Sequence, residues 1–175
     1  MKTAGGFEQC YNGQAAVNEH MIIVGAYSNA HANDKQEFIP SIAAVPSALG
    51  KIKNAVASTG YFSEQNIKDC KEQNITPIIS TAREMHNTFL DKKLNSKSEV
   101  IVNKVVADMN KLLENKEGGD IYRKRKQTVE PVFGIIKEVM GFRRFSLRGE
   151  KETEGEWSLV CIAYNLKRLF NIKMP

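Results

Sequence analysis

At 175 residues, 42% apolar and 26% charged, the chain is long enough to bury the core of one domain and too apolar to stay disordered. Three scattered cysteines, Cys10, Cys70 and Cys161, exclude a disulfide framework or zinc ribbon, and no apolar run is long enough to cross a bilayer, so a cytoplasmic protein with no membrane partner is expected. The net charge of +5 is unevenly spread: residues 120–150 hold eight Lys/Arg against four acids, a local +4 that points to a polyanionic partner or, more plainly, to a solvated basic face.

Residues 1–12 carry no apolar period and read as a frayed lead-in. Gln14–Asn18 and Met21–Tyr27 are β-prone runs separated by Glu19-His20, which predicts a hairpin. Asn33-Asp34 can cap a short helix from Lys35 with Phe38, Ile42 and Val45 inward, and Pro40 and Pro46 keep it short. A strand over Lys53–Ser58, a helix capped by Ser63 and running to Gln73, and a strand over Thr76–Ser80 follow. This alternation argues an α/β layer with parallel strands.

Residues 83–119 read as a variable insertion, with a helix over Val105–Leu113 stopped by Glu117-Gly118-Gly119. A helix from Tyr122 to Met140 places Val129, Val132, Phe133, Ile136 and Met140 on one core-facing stripe. Pro131 either kinks it or opens a second helix, and Gly141 ends it. Glu154–Phe170 is a last helix, apolar over much of its surface and therefore expected to be buried.

Glu130 is an acid among cations in a basic helix. Seven residues separate it from Lys137, which brings the two back to within roughly 20° around the axis. Arg123, Lys126, Glu130 and Lys137 then share a face if Pro131 leaves the helix whole. A carboxylate among cations suits a divalent metal held against a phosphodiester; a salt-bridged solvent face is the plainer alternative. Arg123–Lys126 also fits a nuclear-targeting cluster. His20, His31 and His86 have no metal-ligand spacing, and Ser63 lacks the context of a nucleophile.

The run Tyr122-x2-Arg125-x4-Glu130-x6-Lys137, continued by Gly141-Phe142-Arg143-Arg144-Phe145 and Leu147-Arg148-Gly149, closely resembles the C-terminal signature of bacterial insertion-sequence DDE transposases. The Arg-to-Glu spacing is one residue longer than the commonest version. Glu156-Trp157-x-Leu159 with Ala163-x-Asn165-Leu166 is similar to the closing helix of that family. Upstream, the run from Gly6 to Val17, Asn33-Asp34-Lys35 and Gly60-Tyr61 recur there in the same order.

The resemblance implies a ribonuclease-H-like α/β fold in which an Asp-Asp-Glu triad holds two Mg²⁺ or Mn²⁺ ions for DNA cleavage and strand transfer at transposon ends. Glu130 matches the third, metal-binding acid. Tyr122, Arg125 and Lys137 match residues that contact DNA, and Arg123, Lys126, Arg143 and Arg144 extend the basic surface. The second acid departs from the pattern: the family's Ala-Asp-Ala-Gly-Tyr is here Ala57-Ser58-Thr59-Gly60-Tyr61, with a neutral Ser58 at the aspartate. The first acid belongs to a strand before the hairpin.

The expected protein is a single truncated DDE domain over residues 1–175: a strand/helix core (14–80), the insertion, and a helical segment (120–171) carrying the third acid. Its fold is a partial ribonuclease-H-like fold lacking its first strand, with C-terminal helices. It binds DNA and is catalytically defective. The alternative is a non-catalytic module that competes with a full-length transposase for ends or subunits. An active nuclease completed by another chain is a third reading, against which Ser58 argues.

Overall fold

The computed structural model describes residues 2–3, 6–7, 10–81 and 104–173. Two short strands, β1 (Lys2–Thr3) and β2 (Gly6–Phe7), pair antiparallel in the segment expected to be a frayed lead-in. The hairpin follows where alternation places it: β3 (Asn12–Val17) against β4 (Ile23–Asn29), Asn12 opposite Asn29 and Val17 opposite Ile23, with an irregularity between Ala16 and Val17. Asn18 closes the turn, its Oδ1 accepting from the backbone N–H of His20 and of Ile22, both at 3.0 Å.

The predicted short helix is a single turn at Asp34–Gln36, capped by Asn33, followed by α1 (Phe38–Ala43). Pro40 is tolerated because it falls in the first helical turn, where no N–H is required. β5 (Asn54–Ala57) and β6 (Thr76–Ile79) pair in parallel through the crossover helix α2 (Glu64–Glu72), whose Ser63 cap accepts from Asn66 N–H at 3.1 Å. Phe38, Ala55, Ala57, Cys70, Ile75 and Ile79 form the apolar core of this half.

The α/β expectation holds, with one difference in how the strands associate. No ladder joins the hairpin to the parallel pair; among the described residues each remains a separate two-stranded sheet.

Part of the expected insertion, residues 83–103, lies outside the described residues. The rest is helical: α3 (Lys104–Glu114) leads through Asn115 into α4 (Lys116–Gly134). The expected stop at Glu117-Gly118-Gly119 is instead the first turn of α4. The glycines are needed for close approach, since a Cβ on Gly118 would stand 2.1 Å from the Leu112 carbonyl oxygen and one on Gly119 2.8 Å from that of Leu113. Pro131 neither breaks α4 nor starts a new helix. α4 runs on into a wider π turn, Ile135–Val139, where Met140 N–H reaches the Ile135 carbonyl at 2.9 Å. Gly141, at φ 74, ends it in a left-handed conformation that glycine adopts without strain.

α5 (Glu150–Lys173) packs on β4 and α4, burying Thr153, Trp157, Cys161 and Tyr164. The expected burial of this helix holds for one face only, since Leu159 is 69% and Leu166 64% exposed. Its inner stripe is spaced by three and four residues and meets the hairpin, whereas Leu159, Ile162 and Leu166 point the other way. Asn165 covers part of the outer edge of β4, accepting from Ile23 N–H at 2.9 Å and donating to the Ile23 carbonyl at 2.8 Å. Among the described residues no helix is long and apolar enough to cross a membrane.

Candidate nucleic-acid interface

The start of β3 and the end of β5 meet around one carboxylate. Asp34 Oδ1 accepts from Asn12 Nδ2 at 2.7 Å and from Gln14 Nε2 at 2.9 Å. Gln14, almost fully buried, accepts from the Tyr61 hydroxyl. Burial above all, and then the Asp34 charge, raise the Tyr61 phenol, so it serves here as a donor and not as a base. Gly60 lies directly beneath: a Cβ there would be 3.5 Å from Asp34 Oδ2 and 3.7 Å from Ser58 Oγ. Asn12, Gln14, Asp34, Ser58 and Tyr61 are thus drawn to one end of the molecule from widely separated parts of the sequence.

Trp157 joins this end to the helices. Its Nε1 donates to the Gln14 carbonyl at 2.8 Å, and Gly13 packs so closely on the indole that a Cβ would approach to 3.1 Å. Phe133 stacks on the indole at 6.1 Å between centroids, and Phe142 lies tilted against it at 5.9 Å. Phe145 closes the group edge-on. These rings form the wall of an open cleft of about 840 Å³. Lys137, Arg143, Arg144 and Arg148 also line it, with Asp34 and Tyr11. Cations interleaved with aromatic rings suit a phosphate backbone and unstacked bases.

The loop bearing three of these arginines is tied down by Glu156. Its Oε1 and Oε2 accept from Ser146 N–H at 2.9 and 3.0 Å, and Oε2 accepts from Leu147 N–H at 3.0 Å. The Tyr11 hydroxyl accepts from Gly149 N–H at 2.9 Å. Burial pushes the Glu156 carboxyl up, but the backbone bonds from Leu147 and Ser146 outweigh it and hold the group below its ordinary 4.5. A depressed carboxyl contributes stability that is present above the unfolded value and lost as pH falls through the folded one. Acidification below 4.5 is therefore expected to release the Ser146–Leu147 loop. A Glu156→Gln variant should lose that acid transition, as followed by fluorescence of the single tryptophan.

The expected site residues divide into groups. Lys137, Arg143 and Arg144 come together on the cleft. Lys137 Nζ lies 6.0 Å from the centroid of the Phe133 ring, and Arg143 pairs with Glu138. Tyr122, Arg123, Lys126 and Glu130 stand outside the cleft lining. Arg123 pairs with Asp120 at 2.8 Å, and Lys126 is exposed. Arg125, its side chain 14% exposed, lies 5.3 Å from the Tyr122 ring centroid and ion-pairs Glu130 at 3.0 Å. The π turn widens the helix between Glu130 and Lys137 and so disturbs the shared face expected of an ideal helix.

The donor set does not fit a pair of divalent ions. Glu130 is already matched to a guanidinium, Ser58 offers a neutral hydroxyl, and Asp34 Oδ1 is occupied by two amide donors. Among the described residues no group of three or more His, Cys, Asp or Glu side chains is placed to hold a metal.

Sequence reasoning missed Glu156, Tyr11 and Arg148 as parts of the site. Nothing local distinguishes Glu156 from the other acids of its helix; its role appears only where the loop folds back on it. Asn12 and Gln14 stand in a run already similar to the family, which was the available signal.

No curated protein and no solved structure matches the chain. Residues 56–170, about two thirds of its length, match the family model described as a transposase DDE domain. That span takes in the Ser58 strand end, the Glu130 helix, the arginine loop and most of α5, and the chain belongs to the transposase DDE domain family, as the Tyr122–Lys137 signature leads one to expect.

Proposed function

We propose that these residues form the DNA-holding part of an insertion-sequence transposase domain, a partial ribonuclease-H-like layer that does not cut DNA by itself. The observation that carries this reading is the cleft in which Lys137, Arg143, Arg144 and Arg148 surround a wall of aromatic rings. Phosphates pair with the cations, and exposed bases at a transposon end stack on the rings. Arg125 and Tyr122 position the Glu130 carboxylate, while Arg123 and Lys126 add outer phosphate contacts. Competition with an intact transposase for DNA ends follows from the same binding surface.

Cys10 provides the test. It lines the cleft and is partly exposed, whereas Cys70 and Cys161 are buried, their thiols pushed up by burial to about 11 and about 12. Saturating duplex with a single-stranded extension is expected to slow maleimide alkylation of Cys10 at least tenfold. Unchanged Cys10 labelling at saturation would move the DNA surface elsewhere.

Catalysis is expected to be absent. Two divalent ions bring four positive charges into a small volume, and several anionic ligands are needed to hold them. Glu130, Ser58 and the neighbouring Arg125 do not supply that charge. The purified chain should not nick supercoiled plasmid in Mg²⁺ or Mn²⁺, and Ser58→Asp alone should not change this. Metal-dependent nicking that disappears in Glu130→Gln would refute the reading.

A further inference from the structure

Gly155, Leu159, Ile162, Leu166, Leu169 and Lys173 follow one another along α5 at alternating steps of four and three residues. A repeat of that kind returns to one side of a helix every two turns, which is the pattern of a seam between two helices. The stripe that meets the hairpin, with Thr153, Trp157, Cys161 and Tyr164, lies on the other side. The four apolar side chains of the outward seam are 45–69% exposed, and Phe170 beside them is 63% exposed. At roughly 100–150 Å² each, Leu, Ile and Phe side chains in this state leave a strip on the order of 500 Å², the size at which an apolar patch marks an interaction site. Two such strips face to face bury on the order of 1,000 Å², the lower bound of a specific interface between proteins.

Two further observations choose the occupant. The first is charge. Residues 150–156 hold Glu150, Glu152, Glu154 and Glu156 against Lys151, whereas residues 157–173 hold Lys167, Arg168 and Lys173 and no acid. A second copy of α5 laid antiparallel sets the acidic end of each helix on the basic end of the other and opposes their dipoles. A parallel copy would set like charge on like.

The second observation is Gly155. Glycine weakens a helix interior, yet the backbone here is helical and a Cβ would meet nothing within 4 Å among the described residues. Packing within the described chain therefore does not call for a glycine. In the antiparallel pairing set by the seven-residue repeat, Ile162 packs on Leu166 of the second copy, Leu159 on its Leu169, and Gly155 faces its Lys173. The missing side chain leaves room for the lysine stem, and Glu152, one turn earlier, attracts the ammonium.

We propose that α5 pairs antiparallel, through this outward seam, with α5 of a second copy of the chain, making a two-fold symmetric dimer. None of the seam residues lines the cleft, so the pairing surface and the cleft are separate.

The test follows the mass of the full chain by sedimentation equilibrium at concentrations up to about 100 µM, where a dimer with a micromolar dissociation constant fits an interface of this size. Leu166→Glu places a charge in the seam and should weaken association at least a hundredfold. Gly155→Leu favours the helix but fills the space opposite Lys173. It should weaken association at least tenfold while the unfolding midpoint of the dilute monomer does not fall. Direction is read by cross-linking in a Cys10→Ser background. Chains with Gly155→Cys and chains with Lys173→Cys should form a disulfide with each other under a mild oxidant, and neither population with itself.

A chain that stays monomeric throughout, or a dimer whose affinity Leu166→Glu leaves unchanged, would overturn the proposal. Disulfides formed within each single-cysteine population would do the same, since they report a parallel pair. A monomer that instead sediments with phosphatidylglycerol vesicles would assign the strip to a membrane surface and also overturn it. The cross-linking arm keeps Leu159, Ile162, Leu166 and Leu169 unaltered, so the outcome stands even if Leu166→Glu does not fold.

Discussion

Neutralising Lys137, Arg143, Arg144 and Arg148 together is expected to reduce duplex affinity on the order of a thousandfold at about 0.1 M salt, and to flatten the dependence of log K on log salt by roughly 3. Each phosphate contact contributes roughly 0.9 to that slope through counterion release. Four cations line the cleft, but Arg143 is partly matched by Glu138, which lowers the effective number towards three. Fluorescence anisotropy of a labelled duplex over a salt series gives both quantities. Neutralising Arg123 and Lys126 instead should change the slope less, since both lie outside the cleft and Arg123 is paired with Asp120. A quadruple variant with the slope of the parent chain would exclude the cleft as the phosphate surface.

Trp157→Ala is expected to lower the unfolding free energy by about 3–5 kcal/mol, the range for removing a large buried aromatic. Trp157 is only 3% exposed, and its removal acts in three ways. It opens a cavity against Gly13, it deprives Phe133 and Phe142 of their ring partner, and it leaves the Gln14 carbonyl without its indole donor. Marginal stability makes such a loss large relative to the whole. Trp157→Phe retains a ring and should lose less, although it also lacks the donor. Urea unfolding followed by circular dichroism measures both variants, since the only tryptophan is gone in each. A loss below about 1 kcal/mol would mean that the contact between α5 and the hairpin is not what holds the cleft wall.

The hairpin, the two parallel strands, the Ser63 cap and the Gly141 stop were legible because each rests on neighbours in sequence. A period of two, a hydroxyl three residues before an N–H, and a glycine at positive φ are local facts. The basic segment and its kinship with transposases were legible in the same way, as residue types at fixed spacing. The glycines at 118 and 119 were misread because two mechanisms share one signature. Glycine can end a helix through φ or admit a neighbouring backbone by lacking a Cβ, and only the position of the Leu112 carbonyl decides between them.

By itself the sequence determined the hairpin, the alternation of helix and strand that follows it and the concentration of positive charge in residues 120–150. Tertiary structure alone decided which groups act together. Asn12, Asp34, Tyr61 and Trp157 converge on one end of the hairpin although they span most of the chain, because main-chain and side-chain bonds at Gln14 draw them there. Glu130 turns to Arg125, and three of the four cations that line the cleft belong to the loop held by Glu156. The burial of α5 could not be read from its composition, because an apolar helix is covered only where another element meets it, and the hairpin meets one face. Hydrogen-bond spacing along the chain sets local structure; which edges stay open and which charges find partners depends on contacts between residues far apart in sequence.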